Sequence, residues 1–144
     1  MGEPVGTIVA IWIKRAHRGV MDRVDEATLV EGRGIEGSAD QGGWRQVTII
    51  SEEAWRDAVA QCGKEFDPSH RRANIMLRGI DLENSRGKRL QLGDCIVEIR
   101  GENPPCKRMG DMQQPLTPHW RAGVFGVIAR GGTIRDGERA GYAL

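Results

Sequence analysis

Twenty of the 144 residues are glycine, about twice the ~7% of an average protein, and they fall between short apolar runs. Punctuation this frequent leaves little room for long helices and favours a many-stranded chain turning at its glycines. The runs are Val5–Ile13, Ala27–Val30, Gln46–Ile50, Asn74–Leu77, Arg89–Leu92, Cys95–Ile99 and Gly123–Ala129. They are rich in Val and Ile and have strand rather than helix lengths. Gly93-Asp94 separates two alternating segments, Leu90–Leu92 and Cys95–Ile99, and predicts a hairpin. Gly131-Gly132 marks another turn, between Val127-Ile128 and Thr133-Ile134.

One segment breaks the pattern. Ser51 is suited to N-cap a helix, and Glu52-Glu53 put negative charge at its positive end. Ala54, Trp55, Ala58, Val59 and Cys62 recur at helical spacing before Gly63, so a helix is predicted over residues 52–62, packed on the mouth or flank of a sheet. Leu116–Arg121 is a candidate short turn, between and beyond the prolines at 115 and 118. There is no repeat, linker or low-complexity tract. The length suits one domain spanning 1–144. A mainly β chain of short strands predicts a closed barrel or a compact sandwich, and periodicity does not choose between them.

Composition narrows the function classes. With 28% charged residues, 39% hydrophobic ones and a net charge of +1, the chain is expected to be globular, with no overall field to draw it onto nucleic acid or an acidic membrane. Any attraction for anions must be local. The N-terminal residues do not form a secretory signal, and no apolar stretch approaches the roughly 20 residues of a membrane span. Three scattered cysteines, Cys62, Cys95 and Cys106, make an odd count without a disulfide rhythm. Free thiols in a reducing, cytoplasmic compartment are expected.

Gly32-Arg33-Gly34-Ile35-Glu36-Gly37 matches G-x-G-x-x-G, but Ser38–Gly43 after it has no helical face to receive a pyrophosphate. A tight loop using positive φ is the reading it supports. His17, His70 and His119 stand alone, and no C-x-x-C or H-x-x-x-H spacing exists to build a zinc cage. Cys62 and Cys95 sit on apolar faces and read as core residues. Cys106 differs: it follows Asn103-Pro104-Pro105 in a stiffened loop and precedes Lys107 and Arg108. Neighbouring cations favour a thiolate, which is both the nucleophile and the soft metal ligand. Between His70 and Arg89 six basic residues (Arg71, Arg72, Arg78, Arg86, Lys88, Arg89) face two acids, Asp81 and Glu83. Arg45, Arg100 and Arg121 add cations elsewhere. Arg71 and Arg72 beside Asn74 have the character of an anion grip, since guanidinium forks hold phosphate in bidentate fashion. A nucleic-acid-binding barrel with Trp12, Trp44, Trp55 and Trp120 as stacking platforms is disfavoured by the net charge and by the place of Trp55 on the helix.

With Cys106 and Arg72-Ala73-Asn74 in view, the chain resembles the MOSC domain, the unit at the C-terminus of molybdenum-cofactor sulfurases. The resemblance runs from Gly6–Ile11 through Gly34–Gly37, Arg45–Glu53, Arg72–Ile75, Gly79–Leu82 and Leu92–Asp94 to Pro105–Met109, Arg121–Val127 and Gly131–Ile134. It implies a β-barrel related to the pyruvate-kinase barrel domain. It further implies that Cys106 carries sulfur as a persulfide or ligates the molybdenum of a bound molybdopterin-type cofactor. Arg45, Arg71, Arg72 and Asn74 would then hold the phosphate and pterin, Lys107 and Arg108 would keep the thiol ionised, and Arg121 would close the site. Met109 stands where some relatives carry a second cysteine, which leaves a single-thiol carrier or ligand. The family often has Gly-Asp where this chain has Gly37-Ser38 and Gly137-Glu138. The implied partners are a cysteine-desulfurase-type sulfur donor and a molybdoenzyme acceptor, with no nucleic acid, no membrane and no pyridoxal phosphate in this chain. The alternative is a non-catalytic module that binds a phosphorylated cofactor or small anion, with Cys106 a passive ligand.

Overall fold

The computed structural model describes residues 5–143. Strand β1 (Gly6–Lys14) is followed by β2 (Met21–Val24), β3 (Glu26–Val30), β4 (Gly34–Ile35) and β5 (Val47–Ser51). Helix α1 (Glu52–Cys62) and a 3-10 turn at Pro68–Arg71 lead to β6 (Ile75–Arg78), β7 (Arg89–Leu92) and β8 (Cys95–Glu102). A 3-10 segment at Lys107–Met112, α2 (Gln113–Leu116) and a 3-10 turn at Pro118–Trp120 come next, then β9 (Val124–Arg130), β10 (Gly132–Arg135) and β11 (Arg139–Tyr142). The order β1-β6-β5-β9-β8-β7-β11 closes on itself, because β11 pairs back onto β1 through Gly6–Ala140 and Thr7–Arg139. A closed seven-stranded barrel results, which settles the choice against a sandwich. The second sheet, β10-β3-β4, lies outside that ring.

Inward-facing Ile, Leu and Val residues fill the barrel: Ile8, Ile11, Ile49, Ile75, Leu77, Leu90, Leu92, Val97 and Ile99 are all fully or almost fully buried. Each such side chain contributes about 1.5–3 kcal/mol on leaving water. Every predicted strand run is a strand, with ends shifted by a few residues. The Gly93-Asp94 hairpin forms with Leu92 opposite Cys95. At Gly131 the chain turns as expected, and β10 leaves to pair with β3 rather than folding back along β9.

All ladders of the barrel are antiparallel except β5–β6. Parallel neighbours need a crossover, and α1 supplies it. Ser51 caps α1 by accepting from the Ala54 N–H at 3.1 Å, and Gly63 ends it in the left-handed region at φ 78°. The residues of α1 that face the protein, Trp55 and Ala58, meet Met109, Met112, Leu116 and Ala122 in a second small core. That cluster fixes the 106–116 segment against the outside of the barrel.

Glu52 opens α1 but turns sideways, where Arg78 at the end of β6 grips it with Nε 2.8 Å from Oε1 and Nη2 3.3 Å from Oε2. The hydrogen bonds from Arg78 outweigh burial and hold the Glu52 carboxyl below its ordinary pKa of 4.5. A carboxylate depressed on folding adds stability above its unfolded pKa, and that stability is lost as the pH falls through the folded value. Arg78→Gln is therefore expected to lower the melting temperature at neutral pH, with the difference from wild type narrowing at an acid pH below the ordinary carboxylate value. Thermal melts at the two pH values check this, and a pH-independent difference would contradict it.

Candidate functional site

The last rung between β8 and the segment before β9 is the Asn103 N–H donating to the Gly123 carbonyl at 2.9 Å. Pro104 and Pro105 have no N–H to continue it, so the chain leaves the barrel wall there. Cys106 follows in extended conformation (φ −104°, ψ 175°) and precedes the 3-10 segment. Met109 and Met112, three apart, point into the small core while Cys106, Lys107 and Arg108 remain exposed. The far side of this segment is tied to the end of α1 by a Lys64–Asp111 ion pair at 2.6 Å and by the Cys62 thiol donating to the Asp111 carbonyl at 3.7 Å.

Arg71 organises the near side. Its guanidinium is buried, an unusual position for so polar a group. Nε donates to the Ala122 carbonyl at 2.8 Å, Nη2 donates to the Asn103 carbonyl at 2.7 Å, and Nη1 lies 4.0 Å from Met109 Sδ. Asn103 and Met109 bracket Cys106, so one planar side chain is fastened to both flanks of the thiol loop. Desolvation draws the Arg71 pKa below the ordinary guanidinium value, with the Cys106 sulfur opposing that shift and Arg45 adding to it. The guanidinium remains cationic. Cys106 and Arg45 thus each lie within electrostatic reach of Arg71.

Gly123 makes the approach feasible. Its φ of 100° suits glycine, and a Cβ there would run into the Ile49 carbonyl. The chain can therefore bend from Ala122, beneath Arg71, directly into β9.

The other residues expected at the site divide. Lys107 and Arg108 flank the thiol in sequence and are exposed, as is Arg72, which holds a left-handed conformation (φ 63°) just after Arg71. Arg45 is exposed and stacks over the Phe125 ring at 4.9 Å. Asn74 is occupied inside the barrel wall. Its Oδ1 accepts from the Thr48 N–H at 3.0 Å and the Thr48 hydroxyl at 3.1 Å, and its Nδ2 donates to the Trp12 carbonyl at 3.3 Å. Those bonds staple β5, β6 and β1. Arg121 donates to Gln61 and to the Pro115 carbonyl and lines a cavity with Glu53, Asp57, Asp81, Glu83 and His119, whose lining does not include Cys106.

Of the other two cysteines, Cys95 takes the core role read from sequence, while Cys62 reaches only the edge of a core. Cys95 is fully buried in the barrel, and its thiol is pushed up by burial and then by Glu138 and Asp94. Cys62 is half-buried against the small core. Gly32, Gly34 and Gly37 all have positive φ, as a tight loop requires. Among the four tryptophans Trp12 and Trp55 are buried, so no row of stacking platforms exists. Among the described residues no group of three or more His, Cys, Asp or Glu side chains is arranged to hold a metal ion. No helix there is long and apolar enough to cross a membrane. The roles of Asn103 and Met109 went unread in the sequence, because a backbone carbonyl and a buried thioether leave no motif.

The fold is shared with solved structures of low sequence identity. The YuaD protein from Bacillus subtilis superposes with a TM-score of 0.83 at 19% identity, over 97% of each chain. YiiM from Escherichia coli gives 0.71 at 14% identity, covering 96% of this chain and 70% of that one. YiiM from Geobacillus stearothermophilus gives 0.71 at 16%, covering 96% and 75%. No curated protein sequence matches the chain. The MOSC domain model matches residues 37–140, well over half the length. On that match and on a barrel presenting a single exposed cysteine, the chain belongs to the MOSC domain family, which is associated with molybdenum-cofactor binding and sulfur chemistry.

Proposed function

We propose that Cys106 is the reacting group of this domain, accepting sulfur as a persulfide or ligating the metal of a molybdenum cofactor. The observation that carries this reading is the buried Arg71 guanidinium, fastened to the backbone on one flank of Cys106 and to Met109 on the other. A buried cation fastened to both flanks of a loop that presents an exposed thiol supports a role that needs that sulfur held in one place.

The donor set fits both forms of the chemistry. An exposed thiol is a soft ligand, and a lone one suits a metal that arrives within an organic cofactor rather than in a protein-built cage. When bound, such a cofactor supplies a molybdenum centre with ligand positions open to exchange. Cys106 would provide the protein's sulfur to it, while Arg45, Arg72, Lys107 and Arg108 would hold its anionic groups. Arg71 keeps the loop in place through its bonds to Ala122 and Asn103.

For sulfur transfer the step balances without an external oxidant. The Cys106 thiolate attacks the terminal sulfur of a donor persulfide, forming a new S–S bond as the donor's own S–S bond breaks. The donor leaves as a thiolate and takes up the proton first lost from Cys106. A cysteine-desulfurase-type donor and a molybdoenzyme acceptor are the partners this chemistry calls for, in a reducing compartment such as the cytoplasm.

Incubation with glutathione persulfide, followed by peptide mass spectrometry, tests the reading. The peptide bearing Cys106 is expected to gain one sulfur atom while those bearing Cys62 and Cys95 stay unmodified. Equal loading of all three cysteines, or of none, would overturn it.

A further inference from the structure

A cavity of about 600 Å³ opens at the end of the barrel where β7 turns into β8 and β11 begins. Three charged side chains line it, Asp94, Glu138 and Arg139, and among the described residues none of them forms an ion pair. The shielded Oε1 of Glu138 meets no hydrogen-bond donor. An acceptor left in that state costs free energy until a donor reaches it. A swing of the half-buried Glu138 side chain into the cavity it lines lets a ligand supply that donor. Both carboxylates also lie within electrostatic reach of one buried atom, the Cys95 sulfur. Backbone bonds hold the frame: the Gly93 N–H donates to the Arg139 carbonyl at 2.9 Å, and a Cβ on Gly93 would collide with Glu138 Oε2. Val5, 59% exposed, and Tyr142 give the cavity an apolar wall. The Tyr142 hydroxyl donates to the Asp81 carbonyl, and Lys88 Nζ lies 5.0 Å from its ring centroid, so the ring is fixed in place.

Two carboxylates, one guanidinium and an apolar wall specify an occupant that carries both signs of charge. A plain cation would meet Arg139, and a plain anion would meet Asp94 and Glu138, whereas a zwitterion satisfies all three. The volume is in the range that encloses a small molecule. We infer that this cavity binds a free α-amino acid with an apolar side chain. Its ammonium group sits between Asp94 and Glu138 and brings three donors, one of them for the orphaned oxygen. Its carboxylate takes the Arg139 fork in bidentate fashion, and its side chain lies against Val5 and Tyr142. The cavity and Cys106 lie beyond opposite ends of β8 (Cys95–Glu102), roughly 25 Å apart along the strand. Binding therefore needs no reaction at Cys106, and the site stands whether or not the sulfur reading above holds.

Isothermal titration with L-phenylalanine and L-leucine tests the inference, with phenethylamine and 3-phenylpropionate as analogues that each keep one charge. At least one of the amino acids is expected to bind at millimolar concentration, and each analogue to bind ~10-fold more weakly than L-phenylalanine or worse. Glu138→Gln and Asp94→Asn are expected to weaken amino-acid binding by a similar factor, and Arg139→Gln to remove the preference for L-phenylalanine over phenethylamine. Asp94 and Arg139 are exposed, and Gln keeps the shape of Glu138, so the variants are expected to fold. The inference is overturned if neither amino acid binds, if either analogue binds as tightly as L-phenylalanine, or if Glu138→Gln and Asp94→Asn both leave the affinity unchanged.

Discussion

Replacing Arg71 by Met is expected to lower the melting temperature by roughly 10–15 °C, corresponding to about 3–5 kcal/mol in a domain of this size. The side chain has a similar reach but no donors, so the Ala122 and Asn103 carbonyls lose their partners at a buried position. Each charge-assisted hydrogen bond of this kind contributes ~1.5–3 kcal/mol, and an orphaned buried carbonyl adds its own desolvation penalty. Arg71→Lys is not expected to rescue the loss. A single ammonium lacks the planar fork that spans both carbonyls. The second consequence falls on chemistry: with Arg71 gone the thiol loop loses its ties at Asn103 and Met109, and sulfur loading of the folded fraction slows. Thermal melts together with loading rates check both effects. An unchanged melting temperature would mean that the guanidinium does not hold the loop.

Cys106→Ala is expected to act in the opposite sense. The thiol is exposed and makes no side-chain hydrogen bond to the protein among the described residues, so stability should move by no more than ~0.5 kcal/mol. Sulfur loading and metal retention should fall to background. Neither remaining cysteine can take over. Cys95 is sealed in the barrel, and Cys62 is half-buried and bonded to the Asp111 carbonyl. The pair of variants thus separates holding the loop from reacting within it: one loses stability and activity together, the other loses activity alone. If Cys106→Ala still loads sulfur at the wild-type rate, the role assigned to the thiol fails.

The parts of this fold visible in the sequence are those dictated locally. The Ile- and Val-rich strands declare themselves because their side chains line a barrel interior, and α1 because Ser51 and Gly63 mark its ends. The turn at Gly93-Asp94 is legible for the same reason, as a two-residue loop that fixes the register of its strands. What escaped is set by tertiary pairing. Strand β11, Arg139-Ala140-Gly141-Tyr142, has little β propensity and exists because β1 and β7 present open edges to it. Strand β2 is polar and rides on the outer end of β1. The pairing of β10 with β3 joins segments from opposite ends of the chain, which no local pattern encodes.

The same division runs through the site. Cys106 stood out because prolines and cations surround it in sequence. Arg71 was legible as a cation but not as a buried clamp, since its partners are backbone carbonyls distant in the chain. Asn74 beside Arg72 looked like part of an anion grip, yet three side-chain hydrogen bonds hold it between strands. Arg121 lies at a different cavity, with His119 and four carboxylates. Adjacency in sequence groups these residues, and alternation along a strand or a turn separates them again.

Mass spectrometry and metal analysis of the protein purified gently from its own host bear most directly on the role of Cys106. A sulfur adduct confined to the Cys106 peptide, or molybdenum bound near one equivalent and absent from Cys106→Ala, is the predicted result. An unmodified Cys106 peptide together with metal content equal in wild type and variant would contradict it.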